Sequence, residues 1–365
     1  MEIRINKLLL DNAIERVSKA VSPTPFLPAQ KGILIEAEDN IITFIGTNGE
    51  LSIKHVIEIS QDAVIEMPGK ALIDLNILRN IVKKLDGDLS IQTDNKTMTI
   101  STAYDRFVIN LYNLYDYPET EFTVYGDTLE INWNEFKQMI RNVIFASTSN
   151  DTNTVLSCVN ISSTNNVLKL IATDRYRFAQ ELKNIENTND FNISINAKNL
   201  KDLSGFEYDG IVKFYISRHK FAFEIDNTLI QSTVLDQPYQ DVSKVIPTSY
   251  AYTLTISKRE LNNLLNKASV IVAESYNKIK LYIKDNLLTI SSTKEEIANA
   301  EITTSNFHYT DVELKLALNS KFLKEAVSVF DDELTLNITK DKLRIVVLSN
   351  SNPNSLQLFT SQKGF

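Results

Sequence analysis

The sequence predicts an α+β protein built from three repeated domains, each with two helices on antiparallel sheet. Three observations predict this. An apolar helix stripe recurs at intervals of 126 and 125 residues, a second helix start recurs at 122 and 123, and short alternating strands fill the spaces between. The length of 365 residues agrees, because domains of roughly 100 to 200 residues allow two or three.

The first helix of each copy follows Ile5, Ile131 and Ile256. Behind these come Leu10, Ala13, Ile14 and Val17; then Phe136, Met139, Ile140 and Val143; then Leu261, Leu264, Leu265 and Ala268. Each set repeats at i, i+3, i+4, i+7, which is one face of a helix. The second helix begins at Asp74, Asn196 and Asn319, residues whose side chains cap free N-terminal amides. Helices are expected over 6–21, 76–85, 132–146, 197–206, 257–274 and 320–330. Strands are expected over 32–38, 41–45, 51–59, 89–92, 97–101 and 107–111 in the first copy. The second holds 168–173, 177–182, 212–217 and 221–225, and the third 280–284, 287–291, 313–318, 334–338 and 343–348. Turn residues such as Asp39-Asn40 and Asp285-Asn286 separate them. Links at 119–125 and 242–250, marked by Pro118 and Pro247, give domains 1–122, 123–248 and 249–365.

Composition removes several function classes. Only 9 Gly occur, about a third of the usual ~7 %, and no G-x-G-x-x-G or G-x-x-x-x-G-K-[ST] string is present. Cys158 is the single cysteine and no zinc spacing exists, so no metal, cofactor or disulfide is expected. His55, His219 and His308 stand apart. The best catalytic grouping, Asp174 with Tyr176 and His219, has no spacing that would bring it together, so no catalytic residue is assigned. Met1 to Arg4 alternates like a strand and no apolar run approaches ~18 residues, so a cytoplasmic protein without a membrane partner is expected.

A net charge of -8 argues at first against nucleic acid. Sorted by element, the charge tells otherwise. The six predicted helices hold 15 Lys plus Arg against 7 Asp plus Glu, and the remainder holds 23 against 39. The helices are therefore +8 and everything else -16. Opposite the apolar stripes stand Asn12, Arg16 and Lys19; Asn80 and Lys83; Gln138 and Arg141; Lys198; Arg259, Asn263 and Asn266; and Lys321, with Glu15, Asp202 and Glu325 as exceptions. Rows of Lys, Arg and Asn suit phosphate contacts that carry no base specificity. Arg16, Lys19, Lys83, Arg141, Lys198, Arg259 and Lys321 are the expected DNA-facing residues.

The repeats, with Leu27-Pro28, Ala172-Thr173-Asp174-Arg175-Tyr176-Arg177-Phe178, and Leu235-Asp236 leading to Val245-Ile246-Pro247, resemble the bacterial beta sliding clamp family, the processivity subunit of DNA polymerase III. The resemblance covers the whole chain. It implies a non-catalytic head-to-tail homodimer, a ring of six domains around duplex DNA, that tethers the polymerase catalytic subunit and meets a clamp loader. It implies that Phe107 and Ile109 of one subunit face Val270 and Ile271 of the other. It also implies a pocket for a partner peptide with Gln, Leu and an aromatic residue, formed by Leu156, Thr173, Arg175, Tyr176, Arg177, Phe178, Val245, Leu358 and Thr360. The chain departs from the family at Arg175, where a small residue is usual; at Thr24, often an Arg that touches DNA; at Gln240, a pocket Pro; and at Thr360 and Gln362, usually apolar. These departures point to a divergent member. The alternative is an accessory or mobile-element copy with altered peptide preference; an enzyme lacks a catalytic constellation, and an unrelated β-rich binding module does not account for the matched helix pairs.

Overall fold

The computed structural model describes residues 1–148, 153–186, 189–240, 242–272 and 277–365. Among these residues there are six α-helices: α1 (Lys7–Ser18), α2 (Leu75–Val82), α3 (Trp133–Ile144), α4 (Ala197–Leu203), α5 (Lys258–Ala268) and α6 (Ser320–Ser328). All six predicted helices are present but each is shorter than its expected span. The stripe runs on into the following turn, where Ala20, Leu85, Phe206 and Phe330 are buried after the helix has ended. Past α5 the backbone tightens into a 3-10 turn at Ser269–Ile271, and the last expected helical residues, 273–274, lie outside the described residues. Capping sets the starts. Asp74 accepts from the Ile77 amide at 2.9 Å, and Asn319 accepts from the amides of Lys321 and Phe322 at 2.9 and 3.2 Å.

The chain divides into two compact units. The first joins Met1–Glu135 to Lys198–Asp236, and the second joins Phe136–Ala197 to Gln237–Phe365. The middle repeat is thus shared between them, for a reason visible in the strand order.

In the first unit a five-stranded antiparallel sheet runs Ala63–Met67, Glu2–Asn6, Asp88–Thr93, Thr97–Ser101, Arg106–Asn110. An eight-stranded sheet runs Asp127–Asn132, Ile211–Ile216, Lys220–Ile225, Thr228–Thr233, Leu51–Glu58, Ile41–Thr47, Gly32–Glu38, Gly69–Asp74. Its seam places Ile230 opposite Ile53 and Thr228 opposite His55, so strands from the second repeat complete the sheet of the first. Helix α1 buries Leu10, Ala13, Ile14 and Val17 and packs on strands Ile41–Thr47 and Leu51–Glu58. Gly46 makes the approach close: a Cβ there would lie 2.4 Å from the Val17 carbonyl oxygen. Trp133 is fully buried, 5.1 Å from Phe223 between ring centroids, and its Nε1 donates to the Phe206 carbonyl at 2.8 Å.

In the second unit a nine-stranded sheet runs Phe191–Asn196, Cys158–Thr164, Val167–Thr173, Arg177–Asn184, Ser355–Thr360, Arg344–Leu348, Glu333–Ile338, Tyr252–Ser257, His308–Tyr309. Its seam sets Phe178 opposite Leu358. A four-stranded sheet runs Ala298–Thr304, Leu287–Lys294, Lys278–Lys284, Leu314–Asn319. Leu261, Leu264 and Leu265 of α5 and Leu323 and Val327 of α6 share one core with Ile279, Leu281, Leu316 and Leu334.

Each third contributes antiparallel strands and two helices, as expected, and the sheets of neighbouring repeats are continuous. The large sheets cross repeat boundaries, because joining edge to edge satisfies backbone amides that two separate edges would leave open. Strand Cys158–Thr164, unnamed in the sequence reading, is buried at six of its seven residues. Asn160 survives there because its Nδ2 donates to the Ile193 carbonyl at 3.0 Å and to Ser194 Oγ at 3.3 Å. Burial on both faces removes the alternation by which a half-buried strand is recognised.

Candidate nucleic-acid and peptide interfaces

On α1, Arg16 is only 19 % exposed in its side chain. Its Nε donates to Asn12 Oδ1 at 2.7 Å, Nη1 to Thr228 Oγ1 at 3.0 Å and Nη2 to Asp226 Oδ2 at 3.1 Å. Arg16 therefore ties the helix to the seam strand, and three of its donors are engaged within the protein. Lys19 is half-buried with its ammonium 5.3 Å from the Phe206 ring centroid. Lys83, Arg141, Lys198, Arg259 and Lys321 are exposed, as their helix positions predict.

The three acidic exceptions all sit among helix cations. Glu15 Oε1 lies 3.1 Å from Arg79 Nε and 3.4 Å from Lys83 Nζ, pairing α1 with α2; the Arg79 contact is ionic and lacks hydrogen-bond alignment. Asp202 sits among Lys198, Lys201 and Lys19, yet its burial pushes its carboxyl up. Glu325 pairs with Arg177 and stands 4.0 Å from Lys321. Burial pushes the Glu325 carboxyl up too, against the pull of Arg177.

The expected peptide site is built around a tight turn. Between strands Val167–Thr173 and Arg177–Asn184, Asp174 Oδ1 accepts from the amides of Tyr176 at 3.0 Å and Arg177 at 2.7 Å. Thr173 Oγ1 donates to the Arg177 carbonyl at 2.6 Å. This explains why the motif needs Thr and Asp at adjacent positions. Arg175, at the tip, has φ +79°, a left-handed conformation that disfavours any residue with a Cβ. Glycine is what this backbone conformation prefers.

Arg177 turns inward. It meets Asp174 Oδ2 through Nε at 2.9 Å and Nη2 at 2.7 Å, pairs through Nη1 with Glu325, and lies over the Phe322 ring. The Thr360 amide donates to the Tyr176 carbonyl at 2.9 Å, fixing the last strand beside the turn.

Two depressions flank it. A cavity of about 350 Å³ is lined by Leu156, Thr173, Tyr239 and Val242, with Asn153, Gln237 and Gln240 also contributing. Thr154 Oγ1 reaches Gln237 Oε1 at 3.1 Å beside it. An apolar cluster of Ile171, Phe178, Val346 and Leu358 includes Tyr239, Val242 and Val245 among its neighbours, so the cavity wall continues into a packed core. A larger groove of about 1060 Å³ is lined by Tyr176, Phe322, Asn319, Thr360 and the tail residues Ser361 to Lys363, opposite Lys278, Lys280, Ser291 to Thr293 and Glu295.

Of the nine predicted pocket residues, Leu156 and Thr173 line the cavity, Tyr176 and Thr360 line the groove, and Phe178, Val245 and Leu358 form the apolar support. Arg177 braces the turn and Arg175 lines neither depression. Sequence reading missed Tyr239, Val242, Phe322 and the groove lysines. Phe322 was within reach, since it stands in the recurring helix start after Asn319; the lysines were not, because the alternation of strand Lys278–Lys284 marks a solvent face without naming a ligand, and Lys363 lies beyond the last strand.

Strand Arg106–Asn110 is an edge of the five-stranded sheet, and Ala298–Thr304 an edge of the four-stranded one. Phe107 and Val108 are exposed at 36 % and 57 %, and Val270 at 82 %. Ile109 is only 7 % exposed, since its side chain faces its own sheet's core; Phe107 shares that face at the strand's open edge, and Val108 points to the other.

No helix among the described residues is long and apolar enough to cross a membrane, and no group of three or more His, Cys, Asp or Glu among them could hold a metal.

Three family profiles match in order: the N-terminal domain of the DNA polymerase III beta subunit over residues 1–121, its central domain over 130–241 and its C-terminal domain over 243–360. The beta sliding clamp of Mycoplasmopsis pulmonis is 28 % identical, with all of both chains covered. That of Staphylococcus aureus strain N315 is 26 % identical, with 91 % of each chain covered. Two solved structures cover all of both chains and show the same fold: the Bacillus subtilis DNA polymerase sliding clamp at TM-score 0.92 and 24 % identity, and the Streptococcus pneumoniae DNA polymerase III beta chain at 0.93 and 20 %. With profiles matching from residue 1 to residue 360 in this order, the chain belongs to the DNA polymerase III beta subunit family, the beta sliding clamps.

Proposed function

We propose that two copies of this chain close head to tail around duplex DNA and tether the replicative polymerase and other partners, conferring processivity without catalysis of their own. The three repeats, 1–122, 123–248 and 249–365, are the units of that ring. The observation that carries this reading is the division of charge: the six helices hold 12 Lys plus Arg against 6 Asp plus Glu, +6, and the remainder 26 against 40, -14, a contrast repeated threefold. Phosphates meet the helices, while an acidic remainder repels DNA from the outside. A ring holds by topology, so each phosphate contact stays weak and the protein slides. Arg16 contributes mainly by fixing α1; Lys83, Arg141, Lys198, Arg259 and Lys321 supply the exposed charge. The strand that carries Phe107 and Ile109 on one subunit meets Val270 and Ile271 on the next, and a clamp loader opens that contact.

Loading onto nicked circular and linear duplexes tests the ring. Loss from linear DNA with retention on circles is expected; equal loss from both sinks the mechanism.

A second reading, an accessory or mobile-element copy with changed partner preference, is favoured by Gln240 and Thr360 at the two depressions. Titration with a standard polymerase-type peptide decides: tight binding removes the grounds for this reading.

A further inference from the structure

The groove beside the turn carries a charge that the anchor pocket does not need. Lys278, Lys280 and Lys363 line it against one carboxylate, Glu295. The tail holds the lysines in place: Lys278 Nζ donates to the Lys363 carbonyl at 3.0 Å, and Lys280 Nζ lies 5.5 Å from the Phe365 ring centroid. Outside its helices the chain is otherwise strongly acidic, so a cationic groove here runs against the surrounding surface. Tyr176 and Thr360 line this groove, while Thr173 of the same turn lines the smaller cavity, so one turn borders both depressions.

We propose that this groove selects partner peptides whose apolar anchor is flanked by Asp or Glu, the carboxylates lying along Lys278, Lys280 and Lys363. The inference rests on the peptide-binding reading of the adjoining cavity. A peptide fits better than single-stranded nucleic acid. Among the described residues Tyr176 and Phe322 are the aromatic residues that line the groove, and Phe322 is half-buried beneath Arg177, whereas strand binders stack successive bases on exposed rings. Exposed lysines add specificity and association rate more than raw affinity, so the effect is salt-sensitive.

The test uses the full chain and fluorescent peptides carrying Gln, Leu and an aromatic residue, extended at either end by three Glu or three Ser. At low salt one of the Glu-extended peptides should bind about fivefold tighter than its Ser counterpart, and the ratio should fall toward one at 0.5 M NaCl. Lys280→Glu with Lys363→Glu should abolish or reverse the ratio. Both residues are exposed, and a ratio taken within one variant does not depend on the fraction folded. Equal binding of Glu and Ser peptides, or a ratio that survives the double variant, overturns this proposal and leaves the anchor reading intact. Failure of every peptide to bind overturns the anchor reading and this proposal with it. Displacement of the Glu peptide by oligo-dT, sensitive to Lys280→Glu, would assign the groove to nucleic acid instead.

Discussion

The guanidinium carbon of Arg177 lies 4.6 Å from the ring centroid of Phe322 while its nitrogens pair with Asp174 and Glu325. One side chain thus joins the signature turn, α6 and the groove floor. Arg177→Ala leaves two part-buried carboxylates without their cation and should cost about 3 kcal/mol in urea unfolding. Glu325 is already raised by burial, and losing Arg177 raises it further. A carboxyl raised in the fold favours folding while protonated and loses that contribution as pH rises through its folded value. The deficit should therefore be smaller near pH 4.5 and grow toward pH 7. A change under 0.5 kcal/mol at pH 7 would show that the turn stands without Arg177.

Arg175→Gly should stabilise the protein by about 0.5 to 1 kcal/mol, because relief at φ +79° outweighs the added freedom of the unfolded chain. Arg175→Ala keeps the Cβ and should show no such gain. Thermal melts of the pair decide, and equal behaviour would remove the strain argument.

His55 is 9 % exposed, its Nδ1 2.9 Å from Thr228 Oγ1 at the seam, with Arg16 and Asp226 alongside. Burial first, and then Arg16, lowers its pKa from 6.5 to about 4. The fold therefore prefers the neutral ring. That preference contributes fully above pH 6.5 and is lost as pH falls from 6.5 through 4, a change of about 3 kcal/mol. Urea unfolding across this range should show the slope in the parent and a flatter line in His55→Gln. Parallel lines would place the pH dependence elsewhere.

Glu15 restrains Arg79 and Lys83, with Glu15 and Lys83 about half exposed. Glu15→Gln should leave stability within about 1 kcal/mol. Binding to short linear duplex at 50 mM salt should tighten, and the slope of log K against log salt should steepen by about 1 to 2 as released cations meet phosphate. An unchanged slope would place this face away from DNA.

Val270→Glu should fold normally, because 82 % exposure leaves little to lose. In sedimentation its dimer dissociation constant should rise at least about tenfold, a loss of roughly 1.4 kcal/mol. An unchanged constant would move the interface away from this turn.

The helix starts were legible because their signals are local. Asp74 and Asn319 cap their own helices, and the i, i+3, i+4, i+7 stripes are properties of a single segment. Helix ends were less so: Leu85 and Phe330 prolong the stripe without prolonging the backbone hydrogen bonds.

The sequence alone determined the threefold repeat, the family and the separation of positive from negative charge, since order, spacing and composition need no neighbour to be read. Tertiary structure decided which charges remain open. Arg16, Glu15 and Arg177 occupy predicted functional surfaces, yet residues 210, 64 and 148 positions away hold them: Asp226, Arg79 and Glu325. It also decided that the large sheets cross repeats, placing Thr228 beside His55 and Phe178 beside Leu358. Pairing of distant edges and distant charges is set by what the folded chain brings within a few ångströms, and no local periodicity encodes that distance.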